Sequence, residues 1–586
     1  MEQKILDKLN ITRSKKPYEL ITAILFPVLI LLFCFAKVNQ GADITDSTYS
    51  PTNFLMGDKL DNMWYISTFF ANILGGVFVK LPLGNTLLGM NIYTGVIKAV
   101  TALVAYFFFV KTVKAPRELS FIGVIAAVGL CWCPTTILYN YLTYLFFLCG
   151  TVFLYKGIVR EKNKFLVIAG FFLGLNVFVR FSNACEAAVV VVLWVYCLLK
   201  GKGFKESLFK TLYCVGGYIL GLIPGVVLIS VIKGFNAIPE GIGELFFMTG
   251  EASSYSVFGM LTQTVRVYTD TWPWIEITFF MLVLSLLAFL VLPAKLTWLR
   301  YTLSTLITGG FVIFLYKRSL FTRDYRSYSS IYRFGALILV IMLIFFIIHA
   351  LNRKNGFEER ILAFTGIILI GITPIGSNND IYSNLNNMFF VFPLFLMLLF
   401  RFVSGNEYFR GLRYSILLLT LLFVFQSVMF GFNFVFRDGD YYSPRTVSIT
   451  EIPAAKGMVT TEANKNELET FYKFWESEGL SGKGILLYGD VSGLGFFLRE
   501  EPAISTAWPS LASFSPDKFE NQMKELEGRI NEKGISAPPL ILANAEMYGI
   551  LNEPVEKKQL ILNDFITKYD YKAVYYGDKF SVYAVR

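Results

Sequence analysis

Residues 18–49, YELITAILFPVLILLFCFAKVNQGADITDSTY, run from an apolar stretch straight into a polar loop that carries two carboxylates, Asp43 and Asp46. The apolar part, 18–38, is long enough to cross a bilayer, which takes about 20 residues. The segment before it is basic, with Lys4, Lys8, Arg13, Lys15 and Lys16, so the positive-inside rule leaves the N-terminus in the cytoplasm. No small-residue cleavage site ends the run, and it reads as a retained helix, not a removed signal peptide. Residues 39–49 then open the first loop on the outer side.

The same pattern recurs along the chain. Of 586 residues, 55% are hydrophobic and 16% charged, against about 25% charged in a soluble globular protein. The fold class is therefore a polytopic α-helical membrane protein. Spanning-length runs at 18–38, 87–110, 119–138, 139–155, 165–179, 184–199, 208–232, 274–292, 296–316, 334–350, 361–375, 388–402 and 414–436 predict about thirteen transmembrane helices. A net charge of +10 would suit nucleic acid, but most Lys and Arg lie in short loops between runs, where membrane topology explains them. No nucleic-acid partner is expected. Lys111, Lys114 and Arg117, then Lys156, Arg160, Lys162 and Lys164, then Lys200, Lys202, Lys205 and Lys210 all fall on the cytoplasmic side. An odd helix count puts the C-terminus outside.

Residues 61–80 mix Trp64, Tyr65, Phe69, Phe70 and Phe78 with polar groups, as in a helix lying on the membrane surface. The outer loop 234–272, with IPEGIGELFFM, predicts a second one. After residue 436 polarity rises abruptly. Strands at 484–488, 540–543, 573–576 and 581–585, a helical turn at 493–498 and helices at 516–533 and 561–569 give a small α/β unit. The chain divides into a membrane module, 1–436, and an extracytoplasmic α/β domain, 437–586.

Several chemistries are excluded by composition. The single histidine, His349, ends a membrane helix, which removes a Ser-His-Asp triad and an H-E-x-x-H metal site. The seven cysteines lie in or beside apolar runs, and the C-x-C of Cys131 and Cys133 has no second ligand pair for zinc. Charged residues within or beside the runs remain. Lys98 lies inside the second run, where an ionisable group is costly and marks a polar cavity or a partner such as Glu186. Arg180 ends the fifth run and either snorkels or meets an anion. The segment 317–333 should be outside yet carries Lys317, Arg318, Arg323, Arg326 and Arg333 against Asp324 alone. It reads equally as a miscounted helix and as an anion site. In the outer loop 376–387, GSNNDIYSNLNN, the amides of Asn378 and Asn379 beside Asp380 suit sugar hydroxyls or simply a turn. The glycines of LYGDVSGLG, 487–495, read as a strand-to-helix turn, since they do not fit a nucleotide fingerprint.

By composition alone, Asp43 and Asp46 are solvated loop aspartates. The D-x-x-Y of Asp46 to Tyr49, with Asp43 ahead of it, follows a basic N-terminus and one span. It precedes an interfacial helix, about a dozen further spans and an outer α/β domain. This arrangement resembles the GT-C superfamily of polyprenyl-phosphate-sugar-dependent glycosyltransferases, which includes the protein O-mannosyltransferases, the aminoarabinose transferase of lipid A and the oligosaccharyltransferases. The resemblance implies an inverting transfer of a sugar from a polyprenyl-phosphate carrier to a lipid, glycan or protein acceptor at the outer face of a bacterial plasma membrane. Asp46 takes the role of general base, with Asp43 as the alternative, and Tyr49 lines the donor or acceptor pocket. Such a reaction needs a base beside the nucleophile and cations beside the departing phosphate. The arginines of 317–333, with Lys98 and Arg180, are the cations expected there, and GSNN implies substrate contact. Ser47 stands where a Glu often follows, which leaves a divalent metal open. The readings from other classes are a transporter or flippase of a lipid-linked sugar and a non-catalytic envelope-assembly protein. The sequence shows neither the internal repeats nor the matched broken helices that a transporter would carry.

Overall fold

The computed structural model describes residues 16–133, 136–251, 257–375, 379–403, 409–439, 442–511, 513–544 and 553–585. The basic N-terminal segment and Asn378 lie outside them. Each of the thirteen apolar runs forms a helix, but among the described residues nine helices are long and apolar enough to cross a membrane. A tenth is reached if Asp380–Asn386 and Val391–Phe402, which meet at 73°, count as one span. The helices Arg117–Leu130, Asn163–Val177 and Phe357–Ile372 are shorter than a bilayer needs. The expected count of thirteen thus exceeds the structure's, because an apolar run does not reveal where its helix stops.

Lipid is required by the outward faces. Only 17% of the span Pro17–Phe35 and 22% of Phe204–Ile232 are buried, at hydropathies of 2.3 each. Bare apolar cylinders of this length are stable only where water is absent. Leu138–Val159 and Tyr328–Leu351 are instead 67% and 61% buried and form the centre of the bundle. Asn163–Val177 and Phe204–Ile232 pack backbone to backbone through Gly170 and Gly174 on one helix and Gly217 and Gly221 on the other. A Cβ at any of the four would lie 1.9–2.2 Å from a carbonyl oxygen of the facing helix, the small-xxx-small contact typical of membrane helices.

Two outer elements differ from expectation. Residues 61–80 form two short helices, Asn62–Ser67 and Phe69–Lys80. The loop 234–272 holds the helix Ala237–Glu251, but the next helix, Val257–Val291, begins well before residue 274. Polar residues at its start hid that first part from a hydropathy reading.

The terminal region contains a hairpin, β1 (Arg445–Ser448) and β2 (Val459–Thr461), and a sheet of β3 (Leu486–Tyr488), β4 (Leu540–Ala543), β5 (Lys572–Tyr576) and β6 (Phe580–Ala584) in the order β3-β4-β6-β5. β3 and β4 are parallel and the other pairs antiparallel. The strand period of two separates its faces. Leu486 and Tyr488 pack with Phe519, Met523 and Phe565 of the helices Pro516–Lys533 and Glu553–Lys568. Ile485 and Leu487 point the other way, into a core that also holds Ala42, Ile44 and Phe54 of the first outer loop. The hairpin and the helix Glu462–Ser477 were not legible in the sequence. β2 also extends onto the first loop, with Gly41 N–H donating to Val459 O at 2.9 Å and Val459 N–H to Asn39 O at 2.7 Å.

Candidate active site

The loop after the first span is built around Asp43. Its Oδ1 accepts from Thr45 N–H at 2.9 Å and Thr45 Oγ1 at 2.6 Å, and its Oδ2 from Ser47 N–H at 2.8 Å. These bonds close the N-terminal turn of the helix Asp46–Met56, whose first amides have no partner within the helix. Asp43 is 2% exposed. Burial, and then the neighbouring Asp46, push its carboxyl up to about 6, against the three donors. The loop is fixed from below by Asp438, whose Oδ1 accepts from Ala42 N–H at 2.7 Å. Gly41 has φ +93°, and a Cβ there would meet Val435 Cγ1 at 2.6 Å, so the chain passes the end of the last span only as glycine.

Asp46, at the start of that helix, keeps a third of its side chain open. Burial raises its carboxyl above the usual range, opposed by Arg437. Arg437 Nη1 lies 3.5 Å from Asp46 Oδ2 and 3.5 Å from Asp490 Oδ2. Burial raises the Asp490 carboxyl too, with Arg437 opposing and Asp43 adding to the rise.

An open cleft lies beside the loop. Asp43, Ser47, Gln40 and Asn91 line it with Lys37 and Lys98, opposite Trp132, Tyr141, Phe430 and Phe434. Two lysines and a carboxylate thus meet an aromatic wall at one end of the bundle. Lys37 Nζ donates to Phe434 O. The wall owes its shape to the end of Arg117–Leu130, where Asn386 Oδ1 accepts from the Trp132 and Cys133 amides at 2.9 and 3.0 Å. That amide of the segment 376–387 therefore shapes the cleft.

The other residues singled out in the sequence are dispersed. Lys98 lines the cleft, away from Glu186, which accepts from Asn176 Nδ2 at 2.5 Å. Arg180 sits 5.9 Å from the Tyr139 ring centroid and is not among the cleft residues. Tyr49 packs edge-on against Trp64 and Trp508, at 6.2 and 5.4 Å between centroids, outside the cleft lining. Of the basic loop, Lys317 and Arg318 are exposed, with Arg318 over Phe314. Arg323 stacks on Tyr316, and Arg326 donates to Tyr442 O at 2.7 Å. None of these four lines the cleft. The loop approaches it through Tyr328, 4.4 Å from Trp132 and 4.6 Å from Phe434 between ring centroids. Asn379 is exposed beside Asp380, whose Oδ1 accepts from Tyr332 Oη at 3.0 Å. Sequence reasoning missed Lys37, Arg437, Asp438 and Asp490. The FRDGD that follows the last span was the available signal for two of them.

No three His, Cys, Asp or Glu side chains among the described residues converge to hold a metal ion. The Arg437 guanidinium lies between Asp46 and Asp490.

No family model matches the chain, and no curated protein matches it. Solved structures similar to it include ArnT from Cupriavidus metallidurans bound to undecaprenyl phosphate, at 11% identity and TM-score 0.42 over 98% of this chain and 99% of that one. The oligosaccharyltransferase of Archaeoglobus fulgidus in complex with Zn and sulfate follows at 11% and 0.49, covering 96% and 73%. AglB from the same organism, with an inhibitory peptide and a dolichol-phosphate, gives 10% and 0.44 over 89% and 69%.

Proposed function

We propose that the chain is a multi-pass membrane glycosyltransferase that moves a sugar from a polyprenyl-phosphate carrier to a cell-envelope acceptor on the outer face. The observation that carries this reading is the cleft that Lys37, Lys98, Asp43 and Ser47 line beside an aromatic wall; Asp46 adjoins Ser47 in sequence and is not among the lining residues. The Lys37 and Lys98 amines donate to a phosphate monoester as it leaves and offset its charge. Trp132 and Tyr141 offer flat faces to a pyranose or to the first isoprene units. An acceptor hydroxyl attacks the anomeric carbon, the carbon–oxygen bond to phosphate breaks with its electron pair on the phosphate, and Asp46 takes the hydroxyl proton. Asp46 is preferred to Asp43 because the Asp43 oxygens are already occupied by Thr45 and Ser47. The lysines, not the arginines of 317–333, are assigned to the phosphate.

The test is transfer of radiolabel from a panel of undecaprenyl-phosphate hexoses in membranes containing the full chain. Loss of transfer in Asp46→Asn, with the chain still folded, is expected. Full activity in both Asp46→Asn and Asp43→Asn would sink the base assignment.

A further inference from the structure

The first outer loop offers Asp46 and then Ser47, with no second acid next to it in sequence. The terminal domain brings one. Asp490 lies on the turn between β3 and the helix Leu494–Leu498, and its Oδ2 meets the same guanidinium nitrogen as Asp46 Oδ2, each at 3.5 Å. That turn is closely fitted to the helix Asp46–Met56. Gly493 N–H donates to Ile44 O at 2.8 Å, Thr52 Oγ1 donates to Ser492 O at 3.3 Å, and Phe496 N–H donates to Thr52 Oγ1 at 3.2 Å. Gly489 turns at φ +93°, and a Cβ there would lie 2.4 Å from Ala543 Cβ, so β4 sets the path that delivers Asp490.

The geometry points to Asp490 as a positioning residue of the transfer site: supplied by the terminal domain, it shares Arg437 with Asp46, so that the guanidinium orients the base without being neutralised by it alone. Among the described residues, the charged groups facing Asp46 include Arg437, from the segment after the last span, Asp490, from the turn, and Asp43, from its own loop. Lys37 and Lys98 line the adjoining cleft. An arginine paired with one carboxylate holds it ionised and makes it a poor proton acceptor, whereas a second carboxylate on the same arginine restores its basicity. Removing the Asp490 charge takes a negative group away from Asp46 and strengthens the pull of Arg437 on it, and the proton affinity of Asp46 falls. Removing Arg437 raises it. The role of Asp46 as a base rests on the transferase reading; the sharing of Arg437 does not.

The purified full chain in lipid nanodiscs is labelled with a water-soluble carbodiimide and glycinamide between pH 4 and 8. Tandem mass spectrometry then follows the Asp46 adduct, which forms from the protonated carboxyl. In Asp490→Asn the labelling midpoint is expected to fall by about one pH unit, in Arg437→Gln to rise, and in Asp490→Glu to return towards the parent value. A midpoint that stays put in Asp490→Asn, in a chain that elutes and melts like the parent, overturns the inference. Should that variant fail to fold, an unmoved midpoint in Arg437→Gln does the same. With undecaprenyl-phosphate [14C]hexose, kcat in Asp490→Asn should fall about tenfold with donor KM unchanged, the pattern of a weakened base. A parent chain that transfers no hexose counts against the transferase reading, and the carbodiimide midpoint still decides the role of Asp490.

Discussion

The amide of Gly493 donates to the carbonyl of Ile44 at 2.8 Å, and a Cβ at Gly493 would lie 1.6 Å from Thr48 Oγ1. The terminal domain therefore rests backbone to backbone on the loop that carries the carboxylates. Gly493→Ala forces these two segments apart, and overpacking of this kind costs about 1–3 kcal/mol. Limited proteolysis should then cut the terminal domain faster, and the melting temperature in detergent should fall. Gly528, inside the helix Pro516–Lys533, has open space around its missing Cβ. Gly528→Ala should leave proteolysis unchanged and stabilise by about 1 kcal/mol through helix propensity.

What the sequence disclosed follows from what is local. Apolar runs and the strands flanking LYGDVSGLG are set by periodicity within ten or twenty residues. The helix Pro516–Lys533 and the strand Leu540–Ala543 lie where that reading puts them. The cleft is not local. Lys37, Lys98 and Trp132 come from three separate segments, and Lys37 looks in sequence like a residue snorkelling from the end of a span. Asp490 reaches Asp46 only because a glycine turn lets two distant backbones touch. The basic loop 317–333 had the stronger charge signal, yet its Arg323 and Arg326 are engaged with Tyr316 and Tyr442.

Asp43 ties stability to pH. Its carboxyl stands at about 6 in the folded chain against an ordinary value of 3.8, so the folded state holds this proton more tightly than the unfolded one. Its contribution is present below pH 3.8 and is lost as pH rises through about 6, a change on the order of 3 kcal/mol. In Asp43→Asn this dependence vanishes. Thermal melts of the two proteins from pH 4 to 7 should show a melting-temperature difference that shifts in favour of the variant as pH increases. A constant difference would mean that Asp43 does not titrate in this window.

Lys37 and Lys98 are expected to act together on an anionic lipid. A charge-assisted bond to phosphate is worth about 1.5–3 kcal/mol, so Lys98→Gln should weaken binding of undecaprenyl phosphate by roughly tenfold or more. Native mass spectrometry or thermal shift with the lipid monophosphate provides the measurement. Arg323→Gln, remote from the cleft lining, should bind like the parent. Equal loss in both variants would instead indicate a general attraction of the positive outer surface.

Asp438 accepts from four side-chain and backbone groups. It is fully buried, and its Oδ1 accepts from Ala42 N–H at 2.7 Å, Thr460 Oγ1 at 2.6 Å and Asn464 Nδ2 at 3.0 Å, while Oδ2 meets Arg445 Nε at 2.8 Å. One carboxylate thus joins the loop after the first span, the hairpin and the helix Glu462–Ser477. Asp438→Ala strands the Arg445 charge, whose side chain is 6% exposed, and breaking one partner of a buried pair costs about 3–5 kcal/mol. Replacing both, as Asp438→Ala with Arg445→Met, removes the unpaired charge and should recover part of that loss. The amides of Ala42 and the Thr460 hydroxyl remain unsatisfied in the double variant, so recovery is incomplete. Equilibrium unfolding of the parent, both single variants and the double variant measures the coupling. A coupling energy near zero would show that Arg445 and Asp438 hold the loop independently.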